Sequence, residues 1–568
     1  MIRSFFLPVI LLLFAGIADF TPIKNIPGQE HRGYAGRRIV SCAPGGYVPF
    51  DYLNSPIAMK EGIGEMDFPV AGASPSVQAW FNQGEAFLYN FEYVQAARSF
   101  YAAWREDSSL AMVSWGLSQA HQSLDDSTEA RRFAERAMEL AAMASPAEQV
   151  LIRMQYFVTR PAHDSASYRQ RHDLLQQLSD SAIRLYPRDA EILVFSGMLR
   201  SFGYIGPMDE SELDAQKAAT NLYLMKGLEV NPRHFGIWHL LIHQNESLSD
   251  FTTALQYGRM YTTSSPNIPH AWHMLAHDLM KTGQVSAAIA NFNHAFELEN
   301  KKYIAEKMPR KYDWHHAHNL ELLAYCYQYK GRFAEAEKIF FVLDTLSPTV
   351  DDRVAQIRKG HPYYYLQVNQ PVKARALAAP LIASKHYSSQ FTGYFINGLA
   401  GVFLKDTAAA LAGYASMIHI VDSLRDETIR KGRPADQAAD DYSYMYARAA
   451  IIRMGARMLV DPADPDVVKQ MESIQKTLLK QTGPDPWIDG LYFLQLLAQM
   501  SLNAGNLPLA ETSANNMLKH DPGYPGAFLL MAKVKNAQGN TSEAKQWIAR
   551  AKEGYREADP VFLKGLKL

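Results

Sequence analysis

Residues 235–268 read FGIWHLLIHQNESLSDFTTALQYGRMYTTSSPNI, and residues 269–302 read PHAWHMLAHDLMKTGQVSAAIANFNHAFELENKK. Set one above the other, these 34-residue stretches match Trp238 to Trp272, His239 to His273, His243 to His277 and Ala254 to Ala288. Pro232 and Pro266, just ahead of each stretch, keep the same interval. A fixed period of that length marks a helix-turn-helix unit that buries its apolar face only by stacking on its neighbours. The fold is therefore read as an all-α solenoid. Ten of the 18 histidines lie between His234 and His318, so a repeating scaffold places them.

The same pattern begins earlier in the chain. Trp80, Gly84, Phe87, Ala96, Phe100 and Ala103 fall at positions 4, 8, 11, 20, 24 and 27 of a 34-residue unit that resembles the tetratricopeptide (TPR) repeat. Small residues at positions 8 and 20 let the two helices of a unit approach, and large residues fill the space around that contact. Trp115 and Gly116 open a second helix pair, and residues 146–232 read as helical but irregular. After an insert at 303–316, the unit 317–350 carries Ala324, Tyr327, Ala336, Phe340 and Pro348. A break falls at Lys431-Gly432-Arg433-Pro434, and further on Ala510 and Ala544 return to the 34-residue spacing. The predicted organisation is a signal segment at 1–18, an extended segment at 19–75 and a TPR array at 76–430 with His-rich units at 235–350. A C-terminal helical or TPR segment follows at 431–568, and the whole is wound as a right-handed superhelix.

Positions 2, 5, 9 and 12 of the first helix share one face, because they are three and four residues apart, and they line the inner surface of such an array. In unit 235–268 they are Gly236, His239, His243 and Glu246; in unit 269–302, His270, His273, His277 and Met280; in unit 317–350, His318, Glu321, Tyr325 and Gln328. Two histidines at i and i+4 grip one metal ion from a single helix face. With helices about 8–10 Å apart, His239, His243, His270, His273, His277, His318 and Glu321 are expected to form one shared metal pocket. Imidazoles with a carboxylate suit zinc, and also copper, nickel or iron. The alternative is a metal-free groove, lined also by Glu246, Met280, Tyr325 and Gln328, that binds an acidic or aromatic peptide or responds to pH through its imidazoles. The insert, with Lys307, Arg310, Lys311, His315 and His316, reads as a solvated loop or a lid over the groove. Asp278, at position 10, is expected to face away from it.

Composition sets further bounds. The 568 residues are 48% hydrophobic, enough for a large core, and 57 basic residues stand against 58 acidic ones. That balance lacks the basic face a nucleic acid needs, so none is expected as a partner. Arg3 followed by the apolar run Phe5–Ala18 reads as a secretion signal, with small residues for cleavage at Gly16-Ile17-Ala18. The run is short for a membrane span and interrupted by Pro8, so membrane attachment is expected only if the signal stays uncleaved. Cys42 and Cys326 are the only cysteines, too few for a disulfide scaffold; Cys326, in LLAYCY, reads as a small buried hydrophobe. Cys42 lies too far beyond the apolar run to be an acylation site. No P-loop, dinucleotide-binding glycine turn, GxSxG elbow or CxxC pair occurs in a fitting context.

Two stretches resemble a family of exported bacterial TPR proteins. The first runs through Phe68-Pro69, Ser74-Pro75, Gln78, Phe81, Gly84, Phe91, Tyr93, Ala96, Ser99-Phe100, Ala111-Met112 and Trp115-Gly116. The second holds Asn231-Pro232, His234, His239, Ile242-His243, Pro269-His270-Ala271, His273-Met274 and His277. Ser109-Leu110 and Leu275-Ala276 depart from the family pattern. The resemblance implies the fold and an exported, periplasmic or secreted location, and it marks His239, His243, His270, His273 and His277 as motif residues. It supplies no activity. Two functions are therefore expected in alternative: a scaffold binding a peptide or protein partner in its concave groove, or a metal carrier, hydrolase or oxidase, with Glu246 or Glu321 as base in a hydrolase.

Overall fold

The computed structural model describes residues 48–162, 165–202, 210–346, 354–430, 435–479 and 484–566. The expected signal segment 1–18, the expected extended segment as far as residue 47 with Cys42, Pro348 and the break at 431–434 lie outside them. Among the described residues there is no strand, and no helix is long and apolar enough to cross a membrane.

Local chemistry sets the hairpins. Ser74 caps helix α1 (Pro75–Tyr89) by accepting from the Val77 amide, with Pro75 as the first helical residue. A tight turn leads into α2 (Tyr93–Glu106). Phe91 in this turn is left-handed, with φ 57°, and the equivalent turn residues Asp125, Ser249, Gly283, Gly331, Asn369, Lys405, Gly505 and Gly539 are left-handed too. Phe91 and Asp125, Ser249 and Gly283, and Gly505 and Gly539 are each 34 residues apart, so the period of the sequence is a period of the backbone. Within the stack, the Phe100 ring lies between two glycines. A Cβ at Gly84 or at Gly116 would stand 2.5 Å from it. This is the close approach that position 8 requires.

The central units supply α3 (Phe235–Ser247), α4 (Phe251–Ser264), α5 (Pro269–Lys281), α6 (Val285–Glu306), α7 (Trp314–Tyr329) and α8 (Phe333–Thr345). Helix α6 runs into the insert, which closes with a short 3-10 turn at Arg310–Tyr312 before α7.

The array folds back on itself at both ends. The first hairpin packs against α3 so closely that a Cβ at Gly236 would lie 2.5 Å from the Tyr89 ring. The Tyr261 hydroxyl donates to Asn90 Oδ1 at 2.7 Å. Lys302 bridges Glu92 and Asp313 at 2.7 and 2.6 Å, and Arg98 meets Glu306 at 2.7 Å. The segment 48–73 lies over this junction, with the Asn267 amide donating to the Gly62 carbonyl at 2.9 Å. From the other side, the helix Pro484–Ala504 lies against α7; Tyr492 donates to the Tyr325 carbonyl at 2.6 Å, and Asp489 pairs with Lys359 at 3.0 Å. The inner face of units 235–350 is thus covered by the chain itself.

Candidate metal centre

Helix α3 carries His239 and His243 one turn apart on its inner face, and α5 carries His270, His273 and His277. The six sequence-marked histidines separate into two triads: His239, His243 and His270, and His273, His277 and His318. In each, the ligand nitrogens all lie within 4.8 Å of one another. Each triad takes positions 5 and 9 of one unit and position 2 of the next, so one is the repeat image of the other. Where the sequence led us to expect a single shared pocket, the histidines stand in two groups. The reason is geometric: α5 presents three histidines over two turns, with the His270 nitrogen meeting His239 on α3 and His273 and His277 grouped with His318 on α7.

The first triad is the tighter described. His239 Nε2 is 3.1 Å from His243 Nε2 and 3.0 Å from His270 Nε2. The Nδ1–H of His239 donates to the Tyr89 carbonyl at 2.6 Å, so its Nε2 carries a lone pair into the cluster. His243 directs its Nδ1 at Glu246 Oε2, 3.4 Å away, which leaves its Nε2 in the same state. At this spacing the nitrogens are held together either by a ring proton shared between them or by a cation in its place. Tetrahedral coordination at about 2.0–2.1 Å from each nitrogen would set the nitrogens roughly 3.4 Å apart, close to what is seen. In the second triad, His273 Nδ1–H donates to Asn319 Oδ1 at 3.1 Å, while Asn319 Nδ2 donates to the Phe292 carbonyl. His273 Nε2 is buried and has no protein partner. These residues fit a transition metal on the chemistry of the donors and on that orphaned nitrogen.

Burial, and after it the neighbouring imidazoles, push His239, His270 and His273 well below the ordinary histidine pKa; burial and His277 do the same for His318. These rings are neutral at pH 7 and so able to ligate. All six are buried except His243, whose side chain keeps 14% exposure.

Glu246, read from the sequence as a groove residue or a base, sits against the histidines. It is buried between the triads, with Oε2 3.4 Å from His243 Nδ1 and Oε1 3.4 Å from His277 Nδ1. Burial alone would raise its pKa, but the two imidazole contacts outweigh that and take it down to about 2. A carboxylate on the far nitrogen of a metal-binding histidine fixes its tautomer and raises its basicity. Glu321, expected in the ligand set, belongs to neither triad: it accepts from the Tyr325 hydroxyl at 3.0 Å and faces Lys359 at 3.5 Å. Met280, Tyr325 and Gln328 are buried as well, Met280 within the apolar core, so they line no open groove. The helix Pro484–Ala504 packs near them, Tyr492 donating to the Tyr325 carbonyl at 2.6 Å.

In the insert, Lys307, Arg310 and Lys311 are exposed, as a solvated loop would have them. His315 and His316 are buried, the first with its ring centroid 4.5 Å from that of His270 and the second bonded to Glu299 at 2.7 Å. Asp278 is buried with no partner for either oxygen, and burial, then Glu246, holds its carboxyl far above the usual range. Phe91 was read from the sequence only as a residue of the family pattern, not as part of the site. Its ring stacks on His243 (5.7 Å, 9°) and His270 (5.6 Å, 30°) and stands edge-on to His239 at 4.4 Å. The signal available was a large aromatic at a turn position that elsewhere holds Gly, Asp, Ser, Asn or Lys. Cys326 is a buried free thiol, as read.

Comparison with known proteins adds a family for one unit. Residues 269–302 match the model of the tetratricopeptide repeat. No curated protein matches the chain. Among solved structures, the apo quorum sensor NprR from B. thuringiensis is similar at 12% identity and TM-score 0.38, over 79% of this chain and 99% of that one. A human IFIT1 dimer with m7Gppp-AAAA is similar at 10% identity and TM-score 0.32, over 86% and 91%. Likeness at that level carries no argument about partner or ligand. Repeats of this kind stack on their neighbours, and the matched unit at 269–302 sits within an all-α array of TPR-type hairpins.

Proposed function

We propose that this is a metalloprotein whose repeat array holds two transition-metal ions, one in each three-histidine site, inside an exported solenoid. The carrying observation is His239 Nε2 at 3.1 Å from His243 Nε2 and 3.0 Å from His270 Nε2, with its own Nδ1 proton committed to the Tyr89 carbonyl. The repeat relation between the triads makes the same chemistry available twice. The apolar run Phe5–Ala18 after Arg3 supports export. Zinc, copper, nickel and iron all suit imidazole ligands.

Metal holding fits better than hydrolysis. Glu246 meets His243 and His277 on their Nδ1 side, away from the nitrogens that converge, so it is poorly placed to take a proton from water on the ion. Glu321 is engaged by Lys359 and Tyr325. A peptide partner in the inner groove of units 235–350 would have to displace the chain's own helices, so the scaffold role is not assigned to that face.

Elemental analysis of untagged protein tests the reading. Two equivalents of metal per chain that survive gel filtration are expected. Sub-stoichiometric metal that washes off, with no change in thermal stability after chelation, overturns it.

A further inference from the structure

The imidazoles of the two triads run in an unbroken file through the central units. Ring centroids of His243 and His239 are 4.9 Å apart, and those of His239 and His270 are 4.8 Å apart. His270 stands 5.7 Å from His273, the two rings 22° from parallel, and His273 is 4.3 Å from His277 and 4.9 Å from His318. The triads are therefore adjacent, joined through His270 and His273, one turn apart on α5.

His315 belongs to neither triad and lies at that join. Its ring centroid is 4.5 Å from that of His270. A charge on it acts on His239 and His270 in the first group and on His273 and His318 in the second, so the ring stands near both. Its Nδ1 faces Asp313 Oδ1 at 3.6 Å, and the Lys302 ammonium and the Tyr303 hydroxyl hold the other oxygen of that carboxylate at 2.6 and 2.9 Å. A carboxylate on the far nitrogen is the support that Glu246 gives to His243 and His277. His315 Nε2 is buried and has no partner among the described residues, and the same holds for His270 Nδ1. Two buried nitrogens without partners thus sit at the join, where a visiting cation would satisfy them.

The file also has one outer end. Of the six triad histidines only His243 keeps an exposed flank, while His277 and His318 close the other end in buried surroundings.

We propose that the two sites are successive stations on one path: His243 takes the ion from solvent, the first triad holds it, and His315 with His270 hands it to the second triad. This rests on the metalloprotein reading above and adds a direction to it. The handover is a ligand exchange. His315 Nε2 donates its lone pair as a nitrogen of the first triad withdraws its own, and His273, His277 and His318 then take over. Each lone pair stays on its nitrogen, so no oxidant or reductant is required.

The test is the rate at which the metal-free full chain takes up Zn(II), read by chelator quench and elemental analysis at successive times. The unaltered chain should fill in two phases of one equivalent each, and His318→Asn should keep only the fast one. His315→Gln should still reach two equivalents, with the fast phase unchanged and the slow phase about tenfold slower. His294→Gln, at a half-exposed histidine on α6 outside the file, should match the unaltered chain. His243→Asn is a check that does not involve His315: it should lose the fast equivalent and slow the remaining one. If circular dichroism shows that His315→Gln does not fold, the His243→Asn rates decide. Single-phase filling of the unaltered chain, an unslowed second phase in His315→Gln, or a second site that fills at its normal rate in His243→Asn overturns the path and leaves two independent sites. A final count of one equivalent in His315→Gln makes that residue a ligand and overturns its part in the handover. If the unaltered chain binds no Zn(II), the metalloprotein reading itself fails.

Discussion

Glu246 Oε1, on α3, lies 3.4 Å from His277 Nδ1 on α5, while its other oxygen contacts His243 three residues away on its own helix. One carboxylate therefore supports a ligand in each triad. In the next unit its repeat equivalent is Met280, buried in the apolar core, so the second site borrows its anion from the first.

Glu246→Gln is expected to weaken metal binding at both sites, although Glu246 ligates neither. Loss of such an outer partner costs roughly 10–100-fold in affinity. Chelator competition on the variant reads this directly. Weakening confined to one site would show that the second contact is incidental.

The assignment of single histidines is separable. His270→Asn should remove one equivalent of metal and leave the second triad loaded. His318→Asn should do the reverse, with helical content unchanged in both. Loss of both equivalents from either substitution, measured by elemental analysis, would mean one cooperative centre instead of two.

The metal-free protein should lose stability as pH falls from 7 toward 5. In an unfolded chain His239, His270, His273 and His318 titrate near 6.5. In the folded chain burial and neighbouring rings hold them well below that. Below pH 6.5 the unfolded state thus binds more protons than the native state, and the linkage sign makes stability fall with pH. His520, lowered to about 4 by burial, acts in the same direction. Urea midpoints at pH 7.5, 6.5 and 5.5 should decrease in order; a flat series would show that these rings accept protons in place.

The repeat and the i, i+4 histidine pairs were legible because both are short-range patterns in one strip of sequence. His239 and His243, or His273 and His277, need only the pitch of a helix to be read as neighbours. The division into triads was not legible, since it depends on which way His270 leans between α3 and α5. Nor was the lid. Tyr89 and Phe91 reach the first triad from about 150 residues away, and the helix Pro484–Ala504 fills the inner face from the other end of the chain. Periodicity says which face a residue occupies and nothing of what the superhelix later folds against it. Glu321 was misplaced for the same reason: its partner Lys359 belongs to a later segment.

That long-range closure can be tested at Gly236, where an added Cβ would stand 2.5 Å from the Tyr89 ring. Gly236→Ala should force the first hairpin off α3, costing about 1–3 kcal/mol of stability as overpacking does. It should also lengthen the bond from His239 to the Tyr89 carbonyl and so weaken the first site. The second site, ordered by Asn319, should be unaffected. Gly283→Ala is the control: nothing lies within 4 Å of its Cβ, but its φ of +78° makes the substitution strained, so stability should fall by about 1–2 kcal/mol with both sites intact. Equal metal affinities in the two variants would mean that the first hairpin covers the triad without orienting it.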